Sequence, residues 1–308
     1  MSKIAFVFPG QGAQAVGMGK DAYGQSDAAK AVFDRADAAL GFELSKLAFE
    51  GPEESLRQTA NTQPALLATS IALLEMYREA RGVQPDYVAG HSLGEYSALV
   101  AAGAVGFEDA IRLVRARGTF MEEAVPGGQG AMAAVLGAER EALQALCREV
   151  TDTAGLVELA NVNCPGQIVV SGSAEGVAAV VRRGKDAGAK RVIPLEVSGP
   201  FHSSLMQLAA DRLSAELTAA SFRDAEVPVI ANVNALPVTS ANELRRLLVQ
   251  QVTSPVLWED TIRYLIAQGV DTFVEIGSGT VLAGLIRKVD KSVQTISINS
   301  AEAALAGA

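Results

Sequence analysis

A glycine-flanked serine at residues 90–94, in the segment GHSLG, constrains the fold of this chain more than any other feature. An apolar run at 87–89 precedes the segment and a helix-forming run at 95–100 follows it. Glycines two residues before and two residues after a serine, between a strand and a helix, are typical of a nucleophile elbow, a sharp turn with the serine at its apex. The segment therefore predicts a strand, a tight turn and a helix in direct succession.

The elbow also indicates a type of chemistry. Its glycines keep the turn free of side-chain clashes while the serine adopts a strained backbone conformation. The following helix directs its free N–H groups, and the positive end of its dipole, at the serine. We therefore predict that Ser92 is a nucleophile and that the chain performs acyl chemistry through a covalent serine ester.

The periodicity of the apolar residues predicts an α/β fold. We predict strands at 4–8, 87–90, 228–233, 272–276 and 295–298, and helices directly after the elbow and at 27–40, 64–81, 107–124, 202–219, 241–252 and 259–268. Strands that alternate with helices favour a parallel sheet covered on both faces. We expect residues 1–128 and 199–308 to form this larger, α/β-hydrolase-like catalytic subdomain, with a frayed alanine-rich tail after Ser300.

Residues 129–198 have a different pattern, which begins after a linker-like PGGQG segment at 126–130. The elements predicted there are, in order, a strand at 131–136, a helix at 139–150, strands at 156–162 and 167–171, a helix at 174–187 and a strand at 191–197. The order β-α-β-β-α-β is that of the ferredoxin-like unit. We predict an inserted ferredoxin-like (βαββαβ) small subdomain.

Composition places the chain among globular α/β enzymes, because 308 residues that are 49% hydrophobic can bury a large core. A net charge of −9 argues against a nucleic-acid-binding protein. The two cysteines match neither a disulfide framework nor a zinc site, which favours a reducing compartment. The sequence shows no secretion signal and no apolar stretch long enough to span a membrane. We expect a cytoplasmic monomer that binds neither metal, membrane nor nucleic acid.

A serine nucleophile at neutral pH needs a general base, and the chain has only two histidines, His91 and His202. Side chains that flank the apex of a tight elbow point away from it, so we expect a structural role for His91. His202 follows a Gly-Pro turn at the entrance of a predicted helix, and catalytic groups are common on such loops. Although a packed or solvent-facing histidine is the alternative, the need for a base favours His202. No acid is an obvious partner for its imidazole, so a backbone carbonyl is the candidate that holds its tautomer.

Arg117 lies at the centre of the apolar face of the helix predicted at 107–124. The apolar residues of that face are Ala110, Leu113, Val114, Phe120 and Met121. A buried guanidinium is costly unless an anion pairs with it. Two interpretations stay open at this stage: a structural ion pair with an internal acid, or a planar fork that receives a substrate carboxylate in two hydrogen bonds.

The glycine-rich turn at 10–15, GQGAQA, also has two interpretations. It matches the G-x-G-x-x-A pattern of a dinucleotide site. Pro9 and the glycines at 17 and 19 argue against that site, because they interrupt the approach to the helix and its start. A turn at the end of a strand also offers a backbone N–H to an oxyanion, which suits an elbow serine better.

Seven segments match a known family, and they lie in the family's order along essentially the whole chain. They are FPGQG (8–12), TQPAL (62–66), GHSLGE (90–95), RARG (115–118), ANVN with PGQ (160–163 and 165–167), GPFHS (199–203) and EIG with a further glycine (275–277 and 279). On these segments the chain resembles the malonyl-CoA:acyl carrier protein transacylases of fatty acid synthesis. The set as a whole is highly specific for that family.

The resemblance implies a role for each matching residue. Ser92 would be the acylated nucleophile and His202 its base. Arg117 would bind the malonyl carboxylate, and the backbone N–H groups of Gln11 and Leu93 would form the oxyanion hole.

Three further residues are assigned by the same resemblance. The carbonyl of Gln251, which precedes the Ser-Pro turn at 254–255, would orient the histidine. Gln63 and Phe201 would belong to the substrate site, where phenylalanine matches family members that prefer an unbranched malonyl group.

The implied reaction moves the malonyl group of malonyl-CoA to the phosphopantetheine thiol of acyl carrier protein. It follows a ping-pong route through a malonyl-serine, without metal or cofactor, and serves fatty acid or polyketide synthesis. Basic side chains at 182, 183, 185, 190 and 191 are either a solvated face or a contact for the acidic carrier. The alternative function is a serine thioesterase or hydrolase of the α/β-hydrolase class, which has no reason to bury Arg117. A catalytically silent interaction module is disfavoured because nucleophile, base and anion-binding arginine are all present.

Overall fold

The computed structural model describes residues 2–306, which form a mixed α/β structure with two sheets. The strands are β1 Lys3–Phe8, β2 Tyr87–Gly90, β3 Gly130–Leu136, β4 Val157–Cys164, β5 Gln167–Ser173, β6 Arg191–Pro194, β7 Val229–Ile230, β8 Pro237–Val238, β9 Val256–Leu257, β10 Val270–Ile276 and β11 Gln294–Ile298. The helices are α1 Lys20–Gln25, α2 Asp27–Leu40, α3 Leu44–Glu50, α4 Glu53–Arg57, α5 Thr59–Arg81, α6 Gly94–Ala101, α7 Phe107–Glu123, α8 Arg140–Thr153, α9 Ala174–Arg183, α10 Gln207–Ala219, α11 Ala241–Gln251, α12 Trp258–Ala267, α13 Val281–Val289 and α14 Ala301–Ala306. Within this part of the chain, a helix with the length and apolar character of a membrane span is absent.

The larger sheet has the strand order β11-β10-β1-β2-β7-β8. All neighbours are parallel except the short pair β7 and β8. The central strand β1 is fully buried from Ala5 to Phe8, as its continuous apolar run predicts for a parallel strand covered on both faces. Phe8 pairs with Gly90 and Ala89 pairs with Ile230, so β1, β2 and β7 end at the same edge. The residues that follow these three strands therefore meet at one place.

The smaller sheet has the order β6-β3-β5-β4-β9. Its first four strands are antiparallel and pack with α8 and α9 on a separate apolar core. The fifth strand, β9, comes from the C-terminal part of the chain and pairs in parallel with β4, Asn161 opposite Val256. This strand links the small sheet to the segment that follows α11.

Helix α5 begins at Thr59, five residues before the start predicted at 64, so Pro64 lies inside the helix. A proline inside a helix lacks the N–H that would bond to the carbonyl four residues earlier. Here that carbonyl, of Ala60, accepts from the guanidinium of Arg115 at 2.7 Å instead. Side-chain rescue from the neighbouring helix α7 explains why the helix continues through the proline.

Other predicted elements also differ from those found in where they begin or end, and the following are examples. The helix predicted at 202–219 begins only at Ser204, as a 3-10 turn that leads into α10, because His202 has a left-handed φ of 56°. The strand predicted at 228–233 is only Val229–Ile230, since the chain leaves the sheet where the N–H of Asn232 bonds to a carboxylate oxygen of Glu95. The strand predicted at 191–197 ends at Pro194.

The prediction of a frayed tail after Ser300 is wrong for residues 301–306, which form α14 with Ala301 and Ala304 fully buried. Side chains accept from two of its first N–H groups. That of Ala301 bonds to the Asp21 carboxylate at 2.6 Å, and that of Ala303 bonds to Ser300 Oγ at 3.1 Å. Residues 307–308 of the predicted tail lie outside the described part of the chain.

Candidate active site

The elbow has the predicted strand–turn–helix form, with β2 ending at Gly90 and α6 beginning at Gly94. Ser92, at its apex, has a left-handed φ of 52°. A Cβ on Gly90 would overlap the backbone of Gly94, and a Cβ on Gly94 would overlap the carbonyl of Phe8 on β1. Only glycine fits at these two positions, because the turn is pressed against itself and against the central strand.

Ser92 and His202 are 110 residues apart in sequence, and the fold brings the hydroxyl of Ser92 to 2.7 Å from His202 Nε2. The other ring nitrogen, Nδ1, is 2.9 Å from the backbone carbonyl of Gln251. A carbonyl only accepts, so Nδ1 carries the hydrogen and Nε2 is left to accept from the serine. This is the tautomer that a general base for Ser92 requires.

Burial sets the charge of His202, whose side chain is almost fully enclosed at 4% exposed. Burial first, and then the positive charge of Arg117, lower the pKa of His202 to about 3. The hydrogen bond to the Gln251 carbonyl acts in the opposite direction. The imidazole is therefore neutral, and able to take a proton, at all ordinary pH values.

Arg117 is buried, and its guanidinium is held by neutral groups. Nη1 donates to Gln63 Oε1 at 2.8 Å, while Nη2 donates to Gln251 Oε1 at 2.9 Å and to Ser92 Oγ at 3.1 Å. The ring of Tyr96 lies 5.6 Å from the guanidinium carbon. Arg117 forms no salt bridge with any residue in the range 2–306, so the interpretation as a structural ion pair has no partner. A buried cation without an anion, directed at a serine hydroxyl, is suited to receive the carboxylate of a substrate.

A cavity of about 710 Å³ opens above these groups. The residues predicted for the site that line it are Gln11, Gln63, Ser92, Leu93, Arg117, Phe201 and His202. The eighth predicted residue, Gln251, is fully buried beneath the cavity and reaches it through its contacts with His202 and Arg117.

Gln11 follows β1 and Leu93 follows Ser92, so their backbones border the cavity close to the serine. No acceptor among residues 2–306 takes the backbone N–H of either residue. The Gln11 side chain is turned aside and donates to Thr59 Oγ1 at 3.1 Å. Unengaged N–H groups on residues that line the same cavity as the nucleophile are candidate donors to an oxyanion.

Sequence reasoning missed a polar network beneath the elbow. Asn232 accepts from the N–H of Ser92 at 2.8 Å and donates to the carbonyl of Gly90 at 2.7 Å. Glu95, which is 1% exposed, accepts from the backbone N–H of Asn232 at 3.1 Å and from Gln251 Nε2 at 2.9 Å. Burial raises the pKa of Glu95 to about 7, against the opposing effect of these hydrogen bonds and of Arg117.

Both missed residues leave a signal in the sequence. Glu95 is the only Asp, Glu, Lys or Arg between 87 and 107, in a run of mostly apolar and small residues. Asn232 is a polar residue near the end of the strand predicted at 228–233, at the edge where ligands bind to parallel sheets. An isolated buried charge and a polar residue at a strand end each indicate a functional position.

His91, beside the nucleophile, points away from it as predicted. Its Nε2 lies 2.8 Å from Asn163 Oδ1, and its ring packs 5.6 Å from that of Trp258. Within residues 2–306, no three His, Cys, Asp or Glu side chains converge as they would around a metal ion.

Comparisons with known proteins agree with this geometry. The model of the acyl transferase domain family matches residues 5–307. The chain is 56% identical over 302 residues to the malonyl CoA-acyl carrier protein transacylase of Bacillus subtilis (strain 168), across 98% of this chain and 95% of that relative. The structure matches that of the malonyl CoA-acyl carrier protein transacylase from Coxiella burnetii with a TM-score of 0.96 at 40% identity, over 99% and 96% of the two chains. It matches a malonyl-transacylase solved in complex with a type II PKS acyl-carrier protein with a TM-score of 0.95 at 42% identity, over 100% of both chains.

Proposed function

The chain belongs to the acyl transferase family and, within it, to the malonyl CoA-acyl carrier protein transacylases, and on this basis we propose that it moves the malonyl group of malonyl-CoA to the phosphopantetheine thiol of an acyl carrier protein. The family resemblance of the sequence motifs is confirmed by the relatives. The reaction is ping-pong, passes through a malonyl ester of Ser92, and supplies malonyl-carrier protein for fatty acid or polyketide synthesis.

In the first half-reaction, Ser92 Oγ attacks the thioester carbonyl of malonyl-CoA while His202 Nε2 takes the hydroxyl proton. The oxygen that becomes negative accepts from the backbone N–H groups of Gln11 and Leu93, each worth about 3 kcal/mol by the usual effect of removing such a donor. The C–S bond then breaks, and His202 returns the proton to the leaving thiolate of coenzyme A. The product is the malonyl-Ser92 ester.

Arg117 binds the free carboxylate of the malonyl group in this scheme. Gln63 and Gln251 hold the guanidinium from either side, and its Nη2 already lies 3.1 Å from Ser92 Oγ. A carboxylate one carbon beyond the acylated carbonyl lies within reach of that fork. Phe201, on the cavity wall, limits the space beside the malonyl group and favours an unbranched one.

The second half-reaction uses the same groups in reverse order. The carrier's phosphopantetheine thiol gives its proton to His202 and attacks the malonyl-Ser92 carbonyl. The ester bond breaks, Ser92 takes the proton back from His202, and malonyl-carrier protein leaves.

One observation carries the proposal: Ser92, His202 and Arg117 converge in a single cavity, where the base and the cation each lie within hydrogen-bond distance of the Ser92 hydroxyl. The alternative as a hydrolase of the α/β-hydrolase class finds less support, because His202 Nδ1 bonds to a backbone carbonyl where that class uses an acid.

Intact-protein mass spectrometry after mixing with malonyl-CoA tests the function. We expect one covalent malonyl adduct on the wild type and none on Ser92→Ala. Carrier protein that bears phosphopantetheine removes the adduct and gains the malonyl group, whereas the carrier without that arm, as control, does not. Rapid loss of the adduct to water alone indicates the hydrolase, and absence of any adduct indicates a binding module.

We also propose that residues 129–198 form a ferredoxin-like subdomain inserted into an α/β-hydrolase-like one made of 1–128 and 199–308. The strand order β6-β3-β5-β4 with α8 and α9 supports the first part, and the parallel strands around the elbow support the second. The unpaired thiols of Cys147 and Cys164 support a reducing, cytoplasmic location. The absence of a cofactor and a monomeric state stay predictions.

A further inference from the structure

We propose that Glu95 is a positioning residue of this site, which aims Arg117 at the substrate carboxylate by fixing the side-chain amide of Gln251. The proposal rests on the proposed function, since it concerns how the cation that binds the malonyl group is held. No step of the mechanism above uses Glu95, although it is a buried carboxyl group close to the reacting atoms.

The amide of Gln251 lies between the acid and the cation. Its Oε1 accepts from Arg117 Nη2 at 2.9 Å, and its Nε2 donates to Glu95 Oε2 at 2.9 Å. Nε2 also donates to the backbone carbonyl of Ser92 at 3.0 Å. A chain of hydrogen bonds thus runs from Glu95 through one amide to the guanidinium and the elbow.

Glu95 supplies the shortest of the Nε2 hydrogen bonds that fix the direction of that amide. A guanidinium only donates, and Glu95 Oε2 is the oxygen that already accepts from the N–H of Asn232, so Gln251 bonds to both only with its oxygen towards Arg117 and its nitrogen towards Glu95. The opposite rotamer would set two donors against each other at Arg117 and two acceptors at Glu95. Without an acceptor at position 95, the flip that withdraws Oε1 from Arg117 is opposed only by the Ser92 carbonyl and Asn232 Oδ1, which accept from Nε2 at 3.0 and 3.3 Å.

The length of the side chain at position 95 decides whether it can play this role, and its charge does not. The N–H of Asn232 and Nε2 of Gln251 share a single oxygen of Glu95, Oε2. A glutamine at position 95 offers one carbonyl oxygen in the same place and accepts both hydrogen bonds without a charge. An aspartate keeps the charge but is one methylene shorter, so its oxygen is drawn back from Gln251.

The test compares Glu95→Gln with Glu95→Asp. Acylation rates of Ser92 by malonyl-CoA and by acetyl-CoA are measured by intact-protein mass, because the acetyl group has no carboxylate for Arg117. We expect Glu95→Gln to keep the wild-type preference for malonyl within about threefold. We expect Glu95→Asp to lose about tenfold of it, the usual effect of one hydrogen bond, through a higher KM and a lower kcat for malonyl only.

Two further measurements separate positioning from general damage. Gln251→Ala, which removes the amide itself, is expected to lose the same preference. Labelling of Ser92 by an uncharged fluorophosphonate, which needs the elbow and the base but not Arg117, is expected to proceed alike in the wild type and both Glu95 variants.

Four outcomes overturn the proposal. They are equal loss of malonyl and acetyl transfer in Glu95→Asp, loss of preference in Glu95→Gln rather than in Glu95→Asp, no change in either variant, and an unchanged preference in Gln251→Ala. If Glu95→Asp does not fold, an unchanged preference for malonyl in Gln251→Ala or a lost preference in Glu95→Gln still overturns the proposal. If the wild type is labelled by the fluorophosphonate but forms no malonyl adduct, the proposed function itself is wrong. That result differs from the four outcomes above, which contradict only the role of Glu95.

Discussion

Burial gives single residues at the cavity floor their properties. His202 is neutral because it is enclosed and lies beside a cation, and Arg117 has no anionic partner because the groups that accept from it are two amides and a hydroxyl. The sequence alone identifies both side chains: His202 because the chain has only two histidines, and Arg117 because it lies on the apolar face of a helix. It does not identify the atoms that hold them, since Gln63 and Gln251 lie 54 and 134 residues from Arg117.

Replacing Arg117 is expected to affect the transfer of charged acyl groups more than that of uncharged ones. Arg117→Ala is expected to slow acylation by malonyl-CoA about a hundredfold or more, because hydrogen bonds between charged groups contribute about 1.5–3 kcal/mol each. Acylation by acetyl-CoA is expected to fall far less. Arg112→Ala, on the exposed face of the same helix, serves as control and leaves both rates unchanged. Equal loss of both rates in Arg117→Ala would contradict the carboxylate-binding role.

The low pKa of His202 predicts an unusual pH profile. A base protonated only near pH 3 stays neutral where an ordinary histidine, with a pKa of about 6.5, is already charged. Labelling of Ser92 by an uncharged fluorophosphonate is therefore expected to stay constant as the pH falls from about 8 to about 5.

Removing a neighbouring cation lets a base protonate more easily, so Arg117→Ala is expected to raise the pKa of His202 and to move the acidic limb to higher pH. A wild-type rate that halves near pH 6.5 would show that burial does not depress the base.

At the scale of secondary structure, local signals predict element bounds where they suffice. Helix α2 occupies the predicted 27–40, with the Ser26 hydroxyl accepting from the N–H of Ala29 at its start and Gly41 left-handed at its end. Helix α5 departs from its prediction because Arg115, from another helix, replaces the missing partner of the Ala60 carbonyl. Where the end of a helix depends on a side chain from a distant part of the sequence, the neighbouring residues do not predict it.

The elbow glycines give a prediction at this scale. Gly94→Ala is expected to destabilise the protein and abolish acylation of Ser92, because the new Cβ would overlap the carbonyl of Phe8. The matched control is Gly284→Ala in helix α13, where a Cβ meets nothing within 4 Å. The control is expected to stabilise by about 0.5–1 kcal/mol, since glycine is a poor helix residue. Chemical denaturation gives both values, and a Gly94→Ala protein as stable and active as the control would contradict the close packing.

At the scale of the whole molecule, the two sheets are joined at more than one place. Strand β9 pairs with β4 across the predicted boundary, and Arg140 on α8 forms a half-buried ion pair with Asp260 on α12. The sequence predicts the small sheet well from its β-α-β-β-α-β order. It gives no sign of a fifth strand, because β9 is two residues long and lies about 90 residues after β4.

The shared strand predicts cooperative unfolding. We expect differential scanning calorimetry to give one transition whose calorimetric and van't Hoff enthalpies agree, although chains of this size often unfold in steps. Asp260→Ala, which leaves Arg140 without its partner, is expected to lower the midpoint while keeping a single peak. Two resolved peaks in the wild type would show that the sheets unfold independently.

The sequence by itself determined the strand–turn–helix elbow, the alternation of strands and helices, and the family. These depend on local backbone requirements and on apolar periodicity, which neighbouring residues express directly. Only the tertiary structure decided which atoms complete the site: the carbonyl of Gln251 on His202, Asn232 on the N–H of Ser92, and Glu95 beneath them. These contacts join residues 49 to 140 positions apart, and they form because parallel strands end at one edge and bring the chain segments that follow them together.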